Sequence, residues 1–396
     1  MTPYLQDLVK MTEPQIRVLQ LIKGLDFGNQ SGGSDKFGFE LTKALSGEGV
    51  QVALAILNRF NTDVERDCLA ELDALSIPFV FLEGESLLKK INSSELSNYC
   101  IQNGINIINS HFQVGTLAAI RARTLGYKGK IARTAHIDKE WGDGPLAWVL
   151  RQTFTKILFP LQADLQVGVS QSIVKSINRY PGTKVKKRKA FVIYNGIPHG
   201  WFEPTPTKKF STEIRKIIGA SGLLIERKGY QYLINAIPRI LANGLDCELI
   251  ILGEGSYRPI LEQQIQELDL HGRVKLIGRQ ANPRFWLEQM DLFVLPSLIE
   301  GLPTVIIESM ARGVPVVASD IPGNDELIVN GETGWLVRAR SSDELADTIL
   351  RAFTDPLLYE KVSSHAFSWA QELTIENAAK KYVLLYRQAI KDLGQA

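Results

Sequence analysis

Glu300 and Glu308 are carboxylates eight positions apart, bracketing the breaker run Gly301-Leu302-Pro303-Thr304. The apolar run Asp291 to Leu295 before them reads as a buried strand, and Thr304 to Arg312 after it as a helix. Pro303 suits the first helical position, where its missing N–H costs nothing. Glu300 then sits in the loop at the strand's C-terminal end, and Glu308 about one turn into the helix. An α/β protein binds its ligand in that crevice, and the free amides and positive end of a helix attract phosphate. Carboxylates bind phosphate poorly but accept hydrogen bonds from hydroxyls. The implied ligand therefore carries phosphate and sugar together.

The elements that must hold these groups follow from alternation. Strand-like runs lie at Arg17 to Ile22, Gln51 to Leu57, Pro78 to Leu82, Ile105 to Asn109, Lys130 to Thr134, Leu165 to Val169 and Phe191 to Tyr194. Helical patterns separate most of them: Phe37, Leu41, Ala44 and Leu45 share one helical face before Gly47 and Gly49. After Pro198 the pattern restarts, with runs at Ile214 to Gly219, Glu248 to Leu252, Arg273 to Ile277, Leu292 to Leu295 and Val314 to Ala318. Strands alternating with helices give doubly wound parallel sheets. The breaker-rich segment Asn195 to Pro206 is the best linker between two such domains. The expected division is 1–198, 199–373 and a last helical segment, 374–396.

Several stretches together resemble the family 4 retaining glycosyltransferases, whose fold is GT-B. They are the E-x7-E spacing with Pro296-Ser297 before it, ARGVPVVAS from Ala311 and NGETGWLV from Asn330. SGGSDKFGFELTKAL from Ser31, NSHF from Asn109, RTAH from Arg133, ADLQVGVSQSI from Ala163, VIYNGI from Val192, ERKG from Glu226 and ILGEG from Ile251 continue the likeness in the family's order. The resemblance implies two Rossmann-like domains facing a central cleft. The acceptor side would be N-terminal, the nucleotide-sugar side C-terminal, and the last helix would cross back to the first domain.

The same resemblance implies roles. Glu308 would accept hydrogen bonds from the ribose hydroxyls, and Glu300 would contact the transferred sugar. The backbone of Gly301, Leu302, Pro303 and Thr304 would face the diphosphate or the sugar. Lys228 would put a point charge on the diphosphate, where leaving-group charge develops. A lysine at a helix start opposes the helix dipole, which favours that role over a plain surface position. Gly32 and Gly33 fit the family's glycine loop over the donor phosphates, His136 lies where the family's histidine meets the donor sugar, and Arg279 where it lines the nucleobase pocket. One departure stands out: five residues before Lys228, where relatives often have arginine, this chain has Leu223. Arg227 is the nearest substitute.

The implied reaction moves a hexose from a nucleotide diphosphate sugar, UDP-sugar first, to an acceptor hydroxyl with retention. The sequence leaves the acceptor open between a sugar and a lipid-linked species. A GT-B-fold sugar-nucleotide epimerase and a non-catalytic sugar binder remain as alternatives. Gly253 and Gly255 form a G-x-G, but Arg258 stands in place of a third glycine, so a nicotinamide fingerprint fails. No Asp-x-Asp pattern suggests a bridging metal, so no metal or other cofactor is expected.

Composition fits this reading. The 396 residues suffice for two cores, and a formal charge of +2 predicts no nucleic-acid partner. Cys68, Cys100 and Cys247 lack metal-ligand spacing and read as reduced thiols in a cytoplasmic protein. The first fifteen residues do not read as a signal peptide, and no run approaches the roughly 20 apolar residues of a membrane span. The basic run Lys184 to Lys189 follows the amphipathic stretch Trp148 to Phe159. It reads either as a solvated loop after a core helix or as a patch for anionic lipid at the cytoplasmic face of a membrane.

Overall fold

The computed structural model describes residues 15–391 apart from 28–30, 87–88, 138–143, 188, 205–209 and 212. Readings made on the residues before Gln15, on Arg188, and on the ends of the 195–206 and 374–393 segments fall outside the described residues. Two compact units are present: Met1–Phe27, Ser34–Tyr194 and Ile375–Ala396 form the first, Gly28–Gly33 and Asn195–Thr374 the second.

The first unit is built on seven strands: β1 (Arg17–Ile22), β2 (Gln51–Ile56), β3 (Phe79–Phe81), β4 (Ile107–Ser110), β5 (Lys130–Ala135), β6 (Leu165–Gly168) and β7 (Phe191–Val192). They pair in parallel in the order β3-β2-β1-β4-β5-β6-β7. Strands covered on both faces need continuous apolar runs. RVLQLI and QVALAI supply them, with only the first residue of each outside the buried core. Helix α1 (Gly33–Gly47) buries Phe37, Leu41 and Leu45. The order of strands reverses at β1, whose neighbours are β2 and β4. The loops after β1, β4 and β5 therefore leave the sheet where ligands are held.

The second unit repeats the plan with β8 (Lys216–Ser221), β9 (Cys247–Leu252), β10 (Val274–Gly278), β11 (Leu292–Leu295), β12 (Val316–Ser319) and β13 (Trp335–Val337). Their order is β10-β9-β8-β11-β12-β13, all parallel. Here the reversal lies at β8, between β9 and β11. Helices α2 (Tyr230–Ala242) and α3 (Thr304–Ala311) follow β8 and β11. The C-terminal helix α4 (Ile375–Lys391) belongs to the first unit, where Tyr382 and Tyr386 join the core.

Several expected edges shift. The strand expected from Ile214 begins at Lys216, and Ile214 is 84% exposed. The Lys216 ammonium holds the Ser211 and Glu213 carbonyls, each at 2.6 Å, which folds that segment back before the strand starts. Pro303 is the N-cap of α3 rather than its first helical residue, with φ −75° and ψ 113°. The helix ends at Ala311, not Arg312, because the Arg312 and Gly313 N–H groups reach back only three residues, to Ser309 and Met310. Phe191 to Tyr194 shortens to two strand residues. All three cysteines are buried and unbridged. Among the described residues, no helix is long and apolar enough to cross a membrane.

Candidate active site

The loop after β8 runs from Gly222 through a 3-10 turn at Glu226–Lys228, and the loop after β11 runs from Pro296 to Pro303. They meet at the topological switch of the second sheet. Gly229 makes the meeting possible: at φ 71° it caps α2, and a Cβ there would fall 2.0 Å from the Pro296 carbonyl oxygen. Any side chain would force the two loops apart. The Leu298 N–H donates to the Arg227 carbonyl at 2.7 Å, and the Arg227 guanidinium donates to the Ile299 carbonyl at 3.2 Å.

This seam brings Lys228 and Glu300 together although 72 positions separate them. The Lys228 ammonium donates to Glu300 Oε1 at 2.6 Å, with side-chain exposures of 13% and 9%. A shielded pair holds each charge in place more firmly than a surface pair would. Gly301, Leu302 and Pro303 are buried beyond it, and Thr304 starts α3. The Thr304 and Val305 amides lack intrahelical acceptors, while Ile306 donates back to the Pro303 carbonyl at 3.2 Å, so the loop after β11 offers helix donors as well as the carboxylate that holds the ammonium. Pro303 adds backbone but no N–H. Gly323 (φ 94°) closes the other side, where a Cβ would sit 2.3 Å from the Gly301 carbonyl oxygen. Asn195 donates to the Leu302 carbonyl at 2.8 Å and braces the loop.

Glu308 lies five residues into α3 and is 6% exposed. Arg279 follows directly on β10 and is half-buried; the preceding Gly278 lies against Glu254, which accepts from Arg258 at 2.7 Å. Leu223 leaves no cation at its position. Tyr230 was not singled out in the sequence, yet its buried hydroxyl has no protein partner and approaches Gly222, as does the Lys228 side chain. Ser297 Oγ is buried and unpartnered in the same way. Nothing in a lone serine or tyrosine signals such a position. Among the described residues, no group of three His, Cys, Asp or Glu is placed to hold a metal ion.

In the first unit, His136 follows β5 and His111 follows β4, so adjacent strand ends bring the rings together. His111 Nδ1 lies 3.1 Å from His136 Nε2, and His111 Nε2 lies 2.8 Å from Gln20 Oε1. Gln20 donates its amide to Tyr386 at 3.4 Å, so its oxygen accepts from His111. This fixes His111 with the proton on Nε2 and His136 with its proton on Nε2 as well. The His136 Nδ1 lone pair is left as an acceptor. The longer 3.3 Å approach of Asn109 Nδ2 to His111 Nε2 conflicts with that tautomer. The Gln20 contact is the shorter by half an ångström, and Asn109 Nδ2 has its own acceptor in Gln20 at 2.9 Å. Phe37 presents itself edge-on to both rings. At Gly32 and Gly33, which belong to the second unit, an added Cβ would meet nothing within 4 Å.

Burial, then the neighbouring His136, holds His111 well below the ordinary histidine range. Burial, then Arg133, pushes His136 down to about 3. His111 is the more deeply buried of the two, so the expected effect rests on it. A lowered folded pKa means that only the unfolded chain takes up the proton as pH falls. The stabilisation is complete above the unfolded value near 6.5 and is lost progressively below it. Chemical denaturation between pH 7 and pH 5 should show stability falling increasingly steeply, toward a limit of about 1.4 kcal/mol per pH unit from this group. His111→Gln should flatten that slope; equal slopes in the two proteins would remove His111 as its source.

Comparison with known proteins agrees with the geometry. Residues 203–369 match the family described as glycosyl transferases group 1, and residues 31–201 match Glycosyltransferase Family 4. Alpha-D-kanosaminyltransferase of Streptomyces kanamyceticus is 32% identical over 46% of this chain and 48% of its own length. The Escherichia coli UDP-Gal:alpha-D-GlcNAc-diphosphoundecaprenol alpha-1,3-galactosyltransferase is 31% identical over 44% of this chain and 48% of its own. The matched part thus spans about half the length of these relatives. The crystal structure of Anabaena HepE in complex with UDP and glucose superposes with a TM-score of 0.75 at 20% identity, covering 94% of this chain and 99% of that one, which speaks to the fold. Two parallel Rossmann-like units, a carboxylate pair at the second switch point and these family matches lead to one assignment: the chain belongs to the family 4 glycosyltransferases and has the GT-B fold.

Proposed function

We propose that the protein transfers a hexose from a UDP-sugar to a hydroxyl of a sugar or lipid-linked acceptor, with retention at the anomeric carbon. The observation that carries this is the Lys228–Glu300 pair beside the first amides of α3. When a diphosphate enters, its negative charge competes with Glu300 for the lysine. Lys228 then holds the diphosphate and Glu300 is released to accept from sugar hydroxyls. Glu308 accepts from the ribose, and Arg279 lies beside the base. The UDP named with HepE and the UDP-Gal and diphosphoundecaprenol named for the E. coli relative support this choice of donor and acceptor class.

In the transfer, the bond from the anomeric carbon to the diphosphate oxygen breaks, and its electron pair leaves with the diphosphate. The acceptor oxygen bonds to the same face of that carbon, and its proton passes to the departing phosphate oxygen. Lys228 and the α3 amides stabilise the charge that grows on the leaving group, and the hydroxyl contacts orient the sugar. In this reading neither metal nor other cofactor has a role.

Donor hydrolysis without acceptor tests the reading. A panel of sugar nucleotides should show slow release of UDP from one UDP-hexose, far above that from its GDP or ADP counterparts. Conversion of the sugar without nucleotide release would replace transfer by epimerisation. Absence of both reactions and of any UDP binding would leave a sugar binder.

A further inference from the structure

The basic run that the transfer reaction does not use lies on an unusual surface. Residues 145–192 contain nine Lys or Arg and one acid, Asp164, whereas the rest of the chain has 36 bases against 42 acids. Asp164 is already paired with Arg123. Among the described residues, no carboxylate pairs with Lys184, Lys186, Lys187 or Lys189, and all four are exposed.

The same surface carries apolar side chains that the core does not take up. The helix Pro145–Leu150 continues as a π-helix over Arg151–Leu158. Pro160 explains the widened turn: it has no N–H to give and its ring crowds the carbonyl four residues back, while the Phe159 N–H reaches the Phe154 carbonyl, five back. Leu146 (70%), Trp148 (59%) and Ile157 (44%) stay exposed along it. The helix Pro181–Lys186 packs on this segment, and Gly182 comes so close that a Cβ would sit 2.4 Å from the Ile157 carbonyl oxygen. Val185, 74% exposed, and its flanking lysines lie on this same short helix. Arg151, Lys156 and Arg179 line a concavity of the same face with Ser176 and Tyr180.

Exposed tryptophan and aliphatic side chains among lysines form the pattern of a surface that lies in a lipid interface. The apolar groups enter the acyl boundary, and the long lysine stems keep their charges among head groups. Nucleic acid would use the charges but leave Leu146, Ile157 and Val185 without a partner. We propose that this face of the first unit docks on an anionic phospholipid bilayer. The inference is independent of the transfer chemistry, because its test reads binding and not turnover.

The test is co-sedimentation of the full chain with phosphatidylcholine vesicles, with and without about 30 mol % phosphatidylglycerol. Binding should require the anionic lipid and weaken as salt rises. The four-fold variant Lys184→Gln, Lys186→Gln, Lys187→Gln, Lys189→Gln should bind at least about 100-fold more weakly, since each charge is worth about fivefold. Leu146→Ser with Trp148→Ser should also lose binding while all lysines remain. Both variants change exposed residues, and an unchanged Tm would show that they fold. Equal binding to neutral vesicles, no binding, or an unaffected serine variant would overturn the proposal. So would binding of single-stranded RNA as tightly as anionic vesicles, which would mark a general polyanion surface.

Discussion

Lys228→Ala should lower kcat by about 100- to 1000-fold while changing KM for the donor far less. Charge on the diphosphate grows as the glycosidic bond breaks, so a cation there stabilises the transition state more than the bound donor. Removing one preorganised electrostatic contact typically costs about that factor. Leu223, five residues before Lys228, supplies no second cation, so this chain has little redundancy and the loss should lie toward the upper end. The structure adds a second reason: without the lysine, Glu300 at 9% side-chain exposure loses its 2.6 Å partner and opposes the charge that grows on the leaving group. Arg227→Ala is the control, because its guanidinium is engaged with the Ile299 carbonyl. It should cost much less in kcat. Near-normal turnover in Lys228→Ala with loss in Arg227→Ala would make Arg227 the phosphate ligand.

Glu308→Ala should weaken binding of free UDP by about tenfold or more, because hydrogen bonds to a charged acceptor contribute about 1.5–3 kcal/mol. Glu308 is 6% exposed on α3, so a ligand that reaches it finds an acceptor already shielded from water. The effect should appear in the nucleotide alone, by calorimetric titration, and should not need the sugar. Glu300→Gln is the useful contrast. It keeps the shape and should not weaken UDP binding, because its expected contact is with the sugar and its neutralisation frees Lys228 for the diphosphate. Unchanged UDP affinity in a folded Glu308→Ala protein would take Glu308 off the ribose.

The sequence by itself determined the fold and the local setting of the carboxylates. Apolar runs buried on both faces, alternating with helical patterns, leave little choice but parallel sheets, and both sheets are parallel throughout. The strand before Glu300 and the helix holding Glu308 were legible because the breaker run between them is local. Edges slipped by one or two residues where distant groups intervened, as the Lys216 side chain does ahead of β8. Tertiary structure alone decided which distant residues meet. No spacing rule pairs Lys228 with Glu300; strand order does, by placing β8 beside β11. The same holds for His111 and His136, joined only because β4 and β5 are neighbours, and for Gln20 and Tyr386, which are 366 positions apart. The stretch from Trp148 carries apolar spacing that suits a core helix equally well. Only the packed structure shows that Trp148 and Ile157 face outward, because periodicity reports that a face is apolar and not what covers it.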